Sequence, residues 1–435
     1  MPSSTERHAP QRCRRRRSAL QRALTATLLA ATLSLPALAG GLTLRVTEPL
    51  GPIAPGAITG FNTTAAAPVV LHLDEYDAMD IRSLRFPPGN DADDYVLSAD
   101  TLAAFAQTWR ILGEPDVHLV ANFFEGPDHA IAVAATLRAL GITPRWWAVG
   151  NEPDLYPRNR MNPAWTAEVY CERFRAMRSA LEAELGDVRM SGPAVSGSRP
   201  SGMDYLREVI TRCGDVIDLV TWHVYPTDGT RSDEDALATS RELAHEIAQV
   251  RAWLADPTVN PLGHEREFEI GVTEFGLSWR TQMLRHLEDQ VAAVWLAETL
   301  GQLATAGVDV GQYFAIHGLG GHGLIDRTGW VRPTYHVYAM LAGFAGTAYR
   351  VEGGDERLAA YAAADDTGLR VLIVNRSPEP IDVTLYAAGL ADVLDVATLD
   401  DPTFDELLAP RRSVHDASLP LLAPPRSVVV VHSPR

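Results

Sequence analysis

The chain has 435 residues, 46% hydrophobic and 21% charged, which is enough apolar material for a large core and for more than one domain. That composition excludes a mainly disordered chain, and the single short apolar stretch near the N-terminus excludes a polytopic membrane protein. Asp and Glu total 55 against 38 basic residues, all of them Arg, and the net charge of −17 argues against nucleic acid as a partner.

The first segment reads as an address. Arg12-Cys13-Arg14-Arg15-Arg16-Arg17 precedes an apolar run from Ala23 to Leu35 and then Ala37-Leu38-Ala39. This is the order of a secretory signal with a small-residue cleavage site, and the run is short for a membrane span. Residues 1–39 are therefore expected to be removed. That leaves a secreted or periplasmic protein with no membrane attachment. Cys171 and Cys213 then remain, and they could pair in an oxidising compartment or stay as buried thiols. No Cys/His spacing suggests a metal site.

Past Leu42–Val46, a candidate extra strand, short β-rich runs alternate with helical patterns. The runs are Ile58–Asn62, Ile81–Phe86, Val117–Phe124, Arg145–Gly150, a weak Val188–Ser191, Val216–Val224, Phe268–Thr273 and Val308–Ile316. Amphipathic segments such as Leu102–Leu112, Ala130–Leu140, Ala167–Leu185 and Leu284–Ala306 lie between them. Strands that are apolar almost throughout suit a parallel sheet covered on both faces. Eight β-then-α units predict an α/β fold, a (β/α)8 TIM barrel, over an open doubly wound sheet. After a last helix over Thr334–Phe344 the pattern turns to short strands: Leu358–Ala363, Leu369–Asn375, Ile381–Tyr386, Val393–Thr398 and Ser427–Val431. These predict a C-terminal antiparallel β-sandwich domain. The expected organisation is a signal over 1–39, a strand lent to the sandwich over 40–50, a barrel over 51–345 and a sandwich over 346–435.

In such a barrel the chemistry sits where strands end. Those ends carry Arg85 and Asn90 (second strand), Asn122 and Glu125 (third), Asn151 and Glu152 (fourth), His223 and Tyr225 (sixth) and Glu274 (seventh). Two carboxylates on one barrel face are the minimal apparatus for glycoside hydrolysis: one donates a proton to the leaving oxygen and the other attacks the anomeric carbon. Glu125 and Asp154 read as solvated loop charges. Trp146, Trp147, Trp222 and Trp279 flank the motifs; the first two read as core, and Trp279 as a surface on which a sugar could stack. Gly318-Leu319-Gly320-Gly321-His322-Gly323 matches a dinucleotide fingerprint but opens no helix, so it reads as a loop over the barrel mouth, from which His317 or His322 could reach substrate. No G-x-S-x-G elbow is present, which argues against a serine esterase.

Gly150-Asn151-Glu152-Pro153-Asp154 and Thr273-Glu274-Phe275-Gly276 together resemble the retaining glycoside hydrolases of clan A. A barrel followed by a sandwich is similar to the arabinofuranosidase, β-xylosidase and heparanase/β-glucuronidase families. Leu84-Arg85-Phe86-Pro87-Pro88-Gly89-Asn90 resembles a strand-two motif of the arabinofuranosidase-like members, with Pro88 where Gly is usual. The resemblance implies Glu152 as acid/base and Glu274 as nucleophile. It implies that Asn151 bonds the sugar 2-hydroxyl and that Tyr225 or His223 touches the nucleophile. The remaining candidates for substrate contact are Arg85, Asn122 and Trp279. The implied partner is a carbohydrate, with no metal and no cofactor. A glycan-binding protein on an inactive barrel and a transglycosylase using the same residues are the alternatives. Nothing in the sequence sets an oligomeric state.

Overall fold

The structure, a computed structural model, describes residues 41–197, 200–318, 321–401, 411–413 and 418–435; the expected signal over 1–39 lies outside the described residues. Strand β1 (Leu42–Pro52) comes first and belongs to the C-terminal sheet. Eight strands then close a parallel barrel in sequence order: β2 (Gly60–Asn62), β3 (Ser83–Phe86), β4 (Asp116–Ala121), β5 (Trp146–Val149), β6 (Met190–Val195), β7 (Leu219–Val224), β8 (Glu269–Phe275) and β9 (Val310–Tyr313). Strands β3, β5, β6, β7 and β9 are buried at every position, as helices outside and side chains inside require. The helices between them begin on side-chain caps where the sequence supplies one. Ser98 Oγ accepts Thr101 N–H at 3.1 Å ahead of Ala99–Ile111, and Asp289 Oδ1 accepts Ala292 N–H at 3.0 Å ahead of Gln290–Thr305.

The barrel interior holds a polar layer below the site. His118 Nδ1 lies 3.1 Å from Gln312 Oε1, and its Nε2 lies 2.5 Å from Ser191 Oγ. Gln312 Nε2 donates to Ser83 Oγ at 3.2 Å. Burial first, with help from the Arg85 charge, pushes His118 down to about 3, so the layer is uncharged at neutral pH. Gly60 must be glycine here: a Cβ would stand 2.5 Å from Ser83 Oγ and 2.7 Å from Gln312 Cγ.

Strands β10 (Thr347–Glu352), β11 (Leu358–Ala364), β12 (Gly368–Asn375), β13 (Ile381–Tyr386), β14 (Val393–Leu399), β15 (Arg411–Ser413), β16 (Ser418–Ala423) and β17 (Ser427–Pro434) join β1 in one sheet, ordered β15-β14-β17-β12-β11-β10-β1-β13-β16. The sheet folds over itself, so that Leu44, Val383, Leu385 and Leu421 on one leaf share a core with Val371, Ile373, Val429 and Val431 on the other. The alternate residues Leu372, Val374, Val428 and Val430 join the barrel core instead. One pair departs from the antiparallel expectation: β1 runs parallel to β13, from Leu42↔Val383 to Arg45↔Tyr386, because it arrives from upstream of the barrel rather than through a hairpin. Between barrel and sheet lies helix Gln290–Thr305, buried from Gln290 to Ala304. It is buried all round because it has a wall on both sides, and its polar side chains are partnered there: Gln302 Nε2 donates to Ser240 O at 2.7 Å, and Glu298 accepts from Arg376. Among the described residues no helix is long and apolar enough to cross a membrane.

Candidate active site

Strand β5 delivers Glu152 through a sharp turn. Gly150 has φ 71°, and a Cβ there would stand 2.3 Å from Tyr156 Oη, so only glycine fits. Asn151 N–H donates to Asp93 Oδ2 at 2.8 Å, and Tyr156 O–H donates to the same oxygen at 2.5 Å. Glu152 itself sits at φ 50°, left-handed, with its N–H donating to Ala194 O at 3.0 Å. Such a conformation costs about 1–3 kcal/mol for a non-glycine residue and is held by the bonds around it.

Glu274 arrives directly on strand β8 and is 4% exposed. Arg85 Nη1 donates to its Oε1 at 2.5 Å and to Asn62 Oδ1 at 2.9 Å, while Nη2 donates to Asn151 Oδ1 at 2.8 Å. Tyr225 O–H donates to Glu274 Oε2 at 3.1 Å. His223 Nδ1 lies 3.1 Å from Glu152 Oε1 and 3.7 Å from Glu274 Oε2. One oxygen of each carboxyl and a ring nitrogen of His223 all fall within 4.8 Å of one another.

The electrostatics separate the two acids. Burial above all, then the like charge of Asp154, pushes the Glu152 carboxyl up to about 8; Arg85 and Arg158 oppose this and lose. Burial pushes His223 down to about 3, so the imidazole between the carboxyls is neutral at neutral pH. Two Glu and a His could in principle ligate a metal. Here a guanidinium already bonds Glu274 and the Glu152 proton is retained, and both features oppose a further cation.

A cavity of about 820 Å³ opens above the pair. Asn151, Glu152, Tyr225, Glu274, Trp279 and His322 line it. Trp279 is 45% exposed and lines it, whereas Trp146, Trp147 and Trp222 are buried in the core. Three of the expected substrate contacts sit elsewhere. Arg85 and His223 are wholly buried beneath the carboxyls and reach the cavity only through them. Asn122 is outside the lining: its Oδ1 accepts the N–H groups of Phe124 and Glu125 at 2.8 and 3.1 Å, which shapes the turn into helix Gly126–Ala139. Glu125 is exposed, but Asp154 is not a solvated charge; it accepts Ser196 N–H at 2.9 Å and Ser196 O–H at 2.6 Å. Cys171 and Cys213 form a disulfide. Of the glycine-rich loop, Leu319 and Gly320 lie outside the described residues; His322 lines the cavity, and His317 lies beside His72, ring centroids 5.8 Å apart, outside the lining. Sequence reasoning missed Arg158, Arg231, Ser196 and Phe314, which line the cavity, and Asp93 beneath Asn151. Phe314 and Ser196 each stand directly after a barrel strand, where they could have been sought; Ser196 was missed because the fifth strand was expected to end at Ser191 and runs to Val195.

Residues 116–291, which contain both glutamates, match the family of the glycosyl hydrolase catalytic core, and residues 355–423 match the C-terminal immunoglobulin-like domain of D-apionate lactonase. Heparanase of Bos taurus is 23% identical over 255 residues, 57% of this chain and 44% of that protein, and heparanase of Rattus norvegicus is 23% identical over 267 residues, 59% and 47%. The match thus spans under half the length of these relatives. A family 51 α-L-arabinofuranosidase from Bifidobacterium longum superposes with TM-score 0.74 at 17% identity, over 90% of this chain and 99% of that one. An α-L-arabinofuranosidase from Thermotoga maritima gives 0.74 at 17%, over 91% and 100%.

Proposed function

We propose that this chain, whose residues 116–291 match the glycosyl hydrolase catalytic core and whose fold is that of the arabinofuranosidases above, is a retaining glycoside hydrolase of the clan A type acting on an oligosaccharide or polysaccharide. The observation that carries this is the pairing of Glu152, held protonated up to about pH 8, with Glu274, held between Arg85 and Tyr225. Retaining enzymes need carboxyl groups about 5–5.5 Å apart, whereas inverting ones leave about 6.5–9.5 Å for a water. Oxygens within 4.8 Å support the shorter spacing.

Glu274 attacks the anomeric carbon while Glu152 gives its proton to the glycosidic oxygen. The C–O bond to the leaving group breaks and a glycosyl ester to Glu274 forms. Glu152, ionised by that transfer and no longer facing a charged Glu274, takes a proton from water while the water oxygen bonds the anomeric carbon and the ester bond to Glu274 breaks, which releases the sugar and restores both carboxyls. Arg85 and Tyr225 hold one oxygen each of Glu274 and aim the carboxylate. Asn151 lines the cavity beside it, placed to meet the 2-hydroxyl. Export through the 1–39 signal belongs to the same reading, and the disulfide between Cys171 and Cys213 supports an oxidising destination.

The test uses product stereochemistry. Glu274→Ala should lower turnover by several orders of magnitude. Glu152→Ala should be severe for poor leaving groups and mild for dinitrophenyl glycosides. Azide should rescue both, giving a glycosyl azide of retained configuration with Glu152→Ala and of inverted configuration with Glu274→Ala, read by NMR. Swapped stereochemistries would reverse the two roles, and full activity in both variants would place the chemistry elsewhere.

A further inference from the structure

One wall of the cavity is built by two segments stitched together. Thr227 N–H donates to Leu277 O at 3.1 Å, and Trp279 N–H donates to Thr227 O at 3.2 Å. Arg285 Nη1 donates to Arg231 O at 2.5 Å. Gly229 packs close against this partner, since a Cβ there would lie 3.2 Å from Arg285 O. Tyr225, Thr227, Asp228, Arg231 and Trp279 of this wall all face the cavity.

The wall is moored at Asp233, at the first turn of helix Asp233–Ala238. Its Oδ1 accepts from Arg285 Nη2, and His286 Nε2 lies 3.2 Å from the same oxygen. Its Oδ2 accepts from Arg426 Nη1 at 2.6 Å, and Arg426 Nη2 donates to Glu234 Oε1 at 2.8 Å. Arg426 is a residue of the sheet domain, on the turn into β17. Its backbone is fixed at φ 45°, with N–H on Ser377 O at 2.9 Å and carbonyl on Gln290 Nε2 at 3.0 Å. A side-chain-bearing residue takes that conformation at a cost, and the bonds on both sides of the peptide hold it there. The guanidinium is thus aimed by the sheet and spent on the barrel.

We propose that Arg426 is a positioning residue for the substrate cleft: through Asp233 it sets the wall formed by residues 225–231 and Trp279, which makes the sheet domain part of the substrate site. This rests on the glycosidase reading, but the tether has a readout of its own. The sugar contacts lie on loops, and a shift of about 1 Å in such a wall can cost up to about 100-fold in rate. A Lys would keep one of the two bonds and lose the fork.

The experiment compares wild type, Arg426→Ala, Arg426→Lys and Asp233→Asn by hydrogen exchange and by oligosaccharide kinetics. Exchange at the amides of Thr227 and Trp279 should quicken about tenfold in Arg426→Ala and Asp233→Asn, with the strands β2–β9 unchanged. In the same variants kcat/KM should fall about tenfold with most of the loss in KM, and Arg426→Lys should recover part of it. Unchanged exchange at Thr227 and Trp279 would overturn the tether. Quickened exchange with unchanged KM, or a fall in melting temperature alone, would reduce Arg426 to a structural role and overturn the proposal. Where Arg426→Ala does not fold, Asp233→Asn breaks the link from the barrel side. A wild type that turns over no glycoside would sink the glycosidase reading, while exchange still decides whether the tether exists.

Discussion

At the scale of single residues, the site separates two identical side chains by their surroundings. Glu152 keeps 17% of its side-chain surface open to the cavity, yet burial and Asp154 together hold its proton to about pH 8. The acid must be protonated at the first step, so activity should fall as pH rises through that value. Asp154→Asn removes the like charge, which is the second cause of the shift. Its effect is therefore directional: the alkaline limb of kcat/KM should move to lower pH, and a limb that stays or moves up would show that Asp154 does not act on Glu152 through its charge. Asp154 is also an example of what composition conceals. As the residue after Asn-Glu-Pro it reads as a loop charge, and only the fold brings Ser196 of the next βα-loop onto it. Arg85 shows the reverse. Its strand-end position was legible, but its wholly buried guanidinium serves the nucleophile from below, a distinction that depends on inward or outward facing in a four-residue strand.

At the scale of elements, alternation of apolar runs with amphipathic segments was enough to find all eight barrel strands, because burial on both faces writes itself into the sequence as Val, Leu, Ile and aromatic residues. The fifth was the weakest, and Met190–Val195 shows why: Gly192-Pro193 reads as a turn but here lies inside the strand. The strands Thr347–Glu352 and Ser418–Ala423 escaped notice because each is half exposed and carries charge or proline. Helix Ala167–Leu185 was read to the residue, and its neighbour Pro200–Cys213 is tied to it by the Cys171–Cys213 disulfide. The bridge closes a span of 42 residues, for which the loss of chain entropy on unfolding is worth about 2–4 kcal/mol. Replacing both cysteines by alanine should lower unfolding free energy by that amount in denaturant titration. An unchanged midpoint under oxidising conditions would mean that the two thiols are not bonded in solution.

At the scale of the whole molecule, barrel and sheet are joined by buried polar contacts as well as by packing. Arg376 of the sheet domain bonds Glu298 on helix Gln290–Thr305, and the two side chains are only 7% and 3% exposed. Arg376 also donates to the carbonyls of Asp355 and Glu356 at 3.0 and 2.8 Å. Arg376→Met would leave the Glu298 carboxyl buried without its cation, a loss of about 3–5 kcal/mol. Thermal unfolding should show one transition shifted down, since Leu372, Val374, Val428 and Val430 of the sheet are built into the barrel's core. A second, separate transition would show that barrel and sheet unfold independently. The two-layer architecture was legible from the change in periodicity after the last barrel helix. The helix between the two layers was legible as a helix, over Leu284–Ala306, but it was expected to be amphipathic; the structure starts it at Gln290 and buries it from Gln290 to Ala304, because the sheet covers the face that would otherwise meet solvent.

Strand β17 stands in the middle of its sheet, paired to β12 on one side and β14 on the other, although every other strand precedes it in the sequence. The order of manufacture is thus the reverse of the order of need. A growing chain makes the barrel and the outer helix wall first. It cannot finish covering that wall until residues 427–434, which pack on the helix beside β11 and β12, have left the ribosome. An interrupted chain would carry Leu372 and Val374 on a strand with an open edge, the kind of surface that quality-control proteases and aggregation both act upon. By this topology the last strand is the one that joins two halves: without residues 427–434, β12 and β14 are each left with the edge that β17 fills bare.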